Sequence, residues 1–256
     1  MKIYLIRRSH IVLAAGALVA AAIFLAVSLP APSAAQTAVA AKQLPIYCVD
    51  RSDNMLAISF DAAWGNEDTQ KLIDILAQYG VRTTFFVVGE WVDKYPESVK
   101  ALHDAGHEIM NHSNTHDHYN SLSTEEIIAD INACNDKIEA ITGVRPTLIR
   151  CPYGEYDDHV IAAIRSIGME PIQWDTDSLD WKDLTASQIL KRIKDKAGSG
   201  SICLFHNAAL HTPEALPSIL EYFKTNGYTV VPISELLLEG EYYLDHTGKQ
   251  CPAEKN

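Results

Sequence analysis

The chain has 256 residues, 33 of them acidic and 21 basic, for a formal charge of −12. Setting aside Lys2, Arg7 and Arg8 at the extreme N-terminus leaves 18 basic residues against 33 acidic ones. A surface of that sign argues against nucleic acid and against anionic lipid as partners of the folded part.

The basic N-terminus precedes the run 11–29, nineteen residues without a charge. Such a run is long enough to cross a hydrocarbon core of about 30 Å as a helix, with its basic flank on the cytoplasmic side. Residues 1–41 are therefore expected to be a transmembrane anchor or signal segment with a short linker. Everything after them is expected outside the cytoplasm. Small residues at Ser33-Ala34-Ala35 and Ala38-Val39-Ala40 offer cleavage sites. The apolar run is longer than most cleaved signals carry, which favours a single-pass membrane protein over a secreted one.

From Pro45 to Leu238 short apolar runs alternate with helical patterns, the signature of parallel strands joined by right-handed crossovers. Strands are expected at 55–61, 83–88, 108–111, 147–150, 171–175, 201–206 and 229–233. Leu72, Ile75, Leu76 and Tyr79 make one helical stripe before Gly80. Ser123 and Glu126 form a capping box ahead of Ile127, Ile131, Cys134, Ile138 and Ile141, and Gly143 ends that helix. Seven β/α units within residues 42–240 fall short of the roughly 250 residues of an eight-fold barrel. The expected fold is a compressed or incomplete (β/α) barrel of about seven parallel strands. Residues 241–256 are polar and read as a surface extension. Cys48, Cys134, Cys151, Cys203 and Cys251 show no CxxC spacing. Outside the cell a disulfide is permitted, but a core of this size does not require one.

In a parallel barrel, reactive groups from different strands meet only at the carboxyl ends. Asp61, His112 with His116, Arg150, the stretch from Asp175 to Trp181, and His206 all fall at such ends. Two histidines four apart come onto one side if the chain makes a helical turn there, close enough to hold one divalent cation. Each residue also has a plainer reading. Asp61 could cap the helix beginning near Asn66, Arg150 could form a surface ion pair, and Asp177, Asp180 and Asp183 could be a solvated acidic loop. His206 could be a hydrogen-bonded core histidine. Trp181 is costly to expose, so beside two acids it reads as a pocket wall. The weight lies in their shared placement.

Five stretches resemble, in order, the signatures of the polysaccharide deacetylases of the NodB-homology type, the family 4 carbohydrate esterases. They are Ser59-Phe60-Asp61, His112-Ser113-Asn114-Thr115-His116, Arg150-Cys151-Pro152-Tyr153-Gly154, Asp177-Ser178-Leu179-Asp180-Trp181 and Leu204-Phe205-His206. Pro45-Ile46-Tyr47, Phe60-Asp61-Ala62-Ala63-Trp64-Gly65 and the tail 242–248 resemble more narrowly its membrane-anchored, sporulation-associated branch.

The resemblance implies removal of N-acetyl groups from amino sugars of peptidoglycan or a chitin-like glycan, with release of acetate. It implies a divalent ion on His112 and His116, zinc first, with cobalt, nickel or manganese as alternatives. Asp61 would be the general base, held ionised by Arg150. The backbone N–H of Tyr153 would meet the oxyanion, and His206 would protonate the leaving amine. Asp180 would raise the His206 pKa, with Asp177 as the alternative, and Trp181 would shield the pair.

One departure matters. Most relatives carry a second, metal-binding aspartate where this chain has Ala62, and a catalytic zinc normally keeps three protein ligands. Asp61 itself, Asp117 or Asn111 could complete the shell, the ion could be weakly held, or the domain could bind glycan without cleaving it. Cys151 replaces a commoner proline and reads as a small buried thiol.

Overall fold

The computed structural model describes residues 42–253, and the expected N-terminal anchor lies outside them. Among the described residues no helix is long and apolar enough to cross a membrane. The strands are β1 Cys48–Val49, β2 Met55–Ala62, β3 Thr84–Val87, β4 Glu108–Asn111, β5 Leu148–Ile149, β6 Glu170–Pro171, β7 Thr176–Asp177, β8 Ile202–His206, β9 Thr229–Val230, β10 Tyr242–Leu244 and β11 Lys249–Pro252.

The main sheet runs β6-β5-β4-β3-β2-β8-β7, with β9 beside the start of β2. All of its pairings are parallel. Seven strands on that path form an incomplete barrel, as expected. Parallel sheets are buried on both faces, and β2 accordingly has Leu56, Ile58 and Phe60 packed among the helices and Ala57 in the separate inner cluster. Phe60 stacks on Phe85 with ring centroids 4.8 Å apart. Ile46, Phe86, Met110, Leu148, Ile172 and Ile202 fill the interior, and Ile233 and Leu236 close it.

The expected strand at 171–175 is resolved differently. Pairing stops at Pro171, and Thr176–Asp177 is a separate strand on the opposite edge of the sheet. Five residue steps reach at most about 17 Å, so the two edges must curl toward each other. The N-terminal segment lines this seam: Ile46 N–H donates to Pro171 O, the Gln173 N–H donates to Ile46 O, and the Val49 N–H donates to Gly200 O at 2.9 Å. Gly200 has φ +80°, and a Cβ there would lie 1.8 Å from Val49 O. No larger residue fits that crossing.

Residues 242–252 of the stretch read as a surface extension are a folded part of the domain. Strands β10 and β11 pair antiparallel, and β11 pairs with β1 in a second, small sheet. Polar composition hid it because Gln250 is buried as a hydrogen-bonding residue, its side-chain oxygen accepting the Leu238 N–H.

The helices follow the sequence signals. Thr124–Thr142 begins at the capping box, with Glu126 N–H donating to Ser123 Oγ and Ser123 N–H to Glu126 Oε2. Thr69–Gln78 has Asp68 as its N-cap residue, so Asp61 is not a capping group. All five cysteines are free.

Candidate active site

Asp61 ends β2 on the face that looks into the barrel mouth. Its Oδ1 accepts from Arg150 Nη1 at 2.7 Å, and its Oδ2 lies 3.6 Å from His112 Nε2. Arg150 is not a surface residue: it is 0% exposed, reaches from the end of β5 across the interior, donates to Ser59 Oγ and Gln173 O, and lies over the Phe86 ring. Burial pushes its guanidinium down from its ordinary value, but from so high a start it stays charged. Burial alone would raise the Asp61 carboxyl, yet Arg150, then His112 and His206, hold it below the usual carboxylate range.

The two histidines meet through a turn, not a helix. Ser113 and His116 take positive φ, and Ser113 Oγ accepts the His116 N–H at 2.9 Å. Asp130, from the helix Thr124–Thr142, fixes the turn by accepting from Asn114 N, Thr115 Oγ1 and Tyr119 OH. The imidazole centroids stand 5.0 Å apart. His112 Nδ1 pairs with Arg150 O at 2.7 Å, so Nε2 is the nitrogen that faces Asp61. Burial pushes His112 down, and burial followed by the His112 charge pushes His116 down to about 4. At neutral pH both present neutral imidazoles.

His206 ends β8 beside Asp61 in register. Its Nδ1 pairs with Asp180 Oδ1 at 2.8 Å, and its N–H donates to Asp180 Oδ2. Thr212 Oγ1 and Trp181 N–H complete the shell of this fully buried carboxylate. Burial pushes the His206 imidazole down, but the Asp180 hydrogen bond and charge outweigh it, and the net shift is upward. Asp180 is therefore the partner of His206, while Asp177 accepts the Leu179 N–H and lines the cavity wall.

These groups open into a cavity of about 470 Å³ lined also by Trp64, Tyr153, Trp174, Trp181 and Leu204. A Cβ at Gly154 would lie 2.8 Å from the Trp174 ring, so glycine makes room for that wall. Tyr153 and Leu179 hold φ of +59° and +54° without being glycine, strained conformations of the kind that collect at functional sites.

The sequence model of the polysaccharide deacetylase family matches residues 49–172. A carbohydrate esterase family 4 pseudoenzyme from Bacillus anthracis superposes with a TM-score of 0.73 at 34% identity, over 75% of this chain and 68% of that one. A mutant of that pseudoenzyme with restored enzymatic activity gives a TM-score of 0.72 at 34% identity, over 75% and 71% of the two chains. This chain belongs to the polysaccharide deacetylase family. The peptidoglycan-N-acetylmuramic acid deacetylase PdaC of Bacillus subtilis is 35% identical over 188 residues, 73% of this chain and 40% of PdaC. The chain thus spans less than half of that relative's length.

Within this family's domain every residue expected at the site reaches the cavity or stands directly behind it. Asp61, His112, His116, Tyr153, Asp177, Trp181 and His206 line the cavity, with Arg150 and Asp180 directly behind. The donor set fits a divalent ion in kind but not in number. Ala62 is 1% exposed and packed in the cluster with Phe60, Val87 and Val88. Asn111 is committed to Ile131 O, Asn135 and the Ser113 N–H, and Asp117 accepts from Thr115. Among the described residues no three His, Cys, Asp or Glu side chains gather as a metal group. Cys151 is buried with its thiol pushed up to about 12 by burial, which leaves it neutral. Ser59, Thr212 and Asn207 were not legible as site residues, because each acts through a hydrogen bond to a residue distant in sequence.

Proposed function

We propose that the protein is a hydrolase that removes N-acetyl groups from amino sugars of peptidoglycan or a chitin-like glycan. The observation that carries this reading is the facing pair of a carboxylate held ionised and a histidine held toward its protonated form. Asp61 takes a proton from water as the water oxygen adds to the amide carbon. The Tyr153 N–H would donate to the tetrahedral oxyanion, a role supported by that residue's left-handed backbone on the cavity wall. His206 then donates its proton to the nitrogen as the C–N bond breaks, giving acetate and a free amine. The uncharged run 11–29 supports a membrane-anchored location outside the cytoplasm for this activity.

A second reading, a glycan-binding domain with little or no turnover, is favoured by Ala62 and by the likeness to a pseudoenzyme. Measuring bound metal and acetate release together, on wild type, Ala62→Asp and Asp61→Asn, separates them. The deacetylase reading expects acetate from wild type and none from Asp61→Asn. Oligosaccharide binding without acetate at any concentration of zinc, cobalt, nickel or manganese would establish the second.

A further inference from the structure

Three exposed aromatic side chains surround the cavity: Trp64 at 60%, Tyr153 at 56% and Trp181 at 56%. Tyr153 and Trp181 sit within the stretches that carry the reaction. Trp64 does not, and leaving an indole in water forfeits the burial of the largest apolar side chain. It lines the cavity and approaches His116 edge-on at 5.8 Å. Its mount is fixed. Asn207 Nδ2 donates to the carbonyls of Trp64 and Gly65, Asn207 Oδ1 accepts the Ala63 N–H, and Trp91 Nε1 donates to Gly65 O at 2.6 Å. Along the carboxyl edge of the sheet Tyr153 follows β5, Trp64 follows β2 and Trp181 follows β7, so Trp64 stands between the other two in strand order.

We propose that Trp64 is a stacking platform for a pyranose unit adjoining the one that is deacetylated, so that the protein selects an oligomer over a single N-acetyl sugar. The inference rests on the glycan reading above and adds a specificity-determining residue to it. One face of a β-linked pyranose presents a patch of C–H groups that matches an indole in size and polarity. An aromatic held by its backbone loses little freedom when the sugar arrives, so most of the contact is realised as affinity.

The test compares N-acetylglucosamine with its β-1,4-linked tetramer on wild type, Trp64→Ala and Trp64→Phe. Calorimetry gives Kd and acetate release gives KM and kcat. In Trp64→Ala the tetramer Kd and KM are expected to rise about tenfold, several times more than the monomer values. Trp64→Phe retains a ring and is expected to recover part of the loss, which separates stacking from a folding defect. Equal changes for monomer and tetramer, no change at all, or a wild type that binds both alike would overturn the proposal and leave the deacetylase reading standing. A wild type that neither binds nor deacetylates either sugar would remove both.

Discussion

Arg150→Met tests whether the buried ion pair sustains the site. The substitution keeps a long unbranched chain over Phe86 and removes the charge. The guanidinium it deletes is fully buried, 2.7 Å from Asp61 Oδ1, 2.9 Å from Ser59 Oγ and 3.2 Å from Gln173 O. What remains is a buried carboxylate without its counter-ion and two acceptors without a donor. Removing one partner of a buried pair costs about 3–5 kcal/mol, a large share of the ~5–15 kcal/mol that holds a domain folded. The pH dependence distinguishes this cause from lost packing. In the wild type the folded Asp61 value lies below the unfolded one. Its contribution is therefore present above about pH 4 and lost as pH falls through the lower, folded value. Without Arg150, burial dominates and the carboxyl moves upward, so the deficit is largest at neutral pH and shrinks as pH falls through that raised value. Urea unfolding followed by tryptophan fluorescence at neutral and at mildly acidic pH measures both. Adding Asp61→Asn to Arg150→Met should recover much of the neutral-pH loss, since no buried charge is then left alone. Equal deficits at both pH values, or a double variant that loses the sum of the singles, would refute the argument.

His206 must be protonated to donate, so kcat should fall as pH rises through its raised value. Asp180→Asn should move that limb to lower pH, and an unmoved limb in the pH–rate profile would remove Asp180 from this role. Asp130→Ala releases the turn that carries both imidazoles, so weaker uptake of added zinc than in the wild type, read by equilibrium dialysis, is expected to accompany any loss of rate. Gly200→Ala places a methyl against Val49 O at the seam and should lower the melting temperature by several degrees, as expected for a loss of about 1–3 kcal/mol. An unchanged melting temperature would mean that the seam adjusts freely.

The sequence was most legible where period and chemistry coincided. Buried parallel strands advertise themselves as apolar runs, and polar or titratable groups at the ends of five of the seven expected runs mark the mouth of the barrel. The helix starting after Ser123 was legible from its capping box, its apolar stripe and the Gly143 that ends it. What escaped was set by contacts between distant residues. Two-residue β7 has no periodicity to read, and only its pairing with β8 makes it a strand. Strands β10 and β11 are three and four residues long within a mostly polar stretch, and Gln250 is buried because β1 and Leu238 lie beside it. The histidine spacing suggested a helical turn, whereas the backbone brings the rings together through left-handed Ser113 and His116. Arg150 alone gave no sign of being interior, because a guanidinium is buried only where several acceptors converge on it.

The substitution at position 62 acts through the division of labour on Asp61. One Asp61 oxygen is occupied by Arg150 and the other faces His112 Nε2. The remaining charges are matched: Asp180 with His206 on one side, and neutral imidazoles at His112 and His116 on the other. A cation resting against that pair of imidazoles would find Asp61 Oδ2 as its nearest carboxylate oxygen, which is also the oxygen left to accept the proton of water. A carboxylate at position 62 would let one residue hold the ion and the other take the proton. With Ala62 the two tasks compete for a single atom, so tighter ion binding through Asp61 must weaken it as a base. That competition predicts that Ala62→Asp raises metal retention and acetate release together, and a gain in one without the other would refute it.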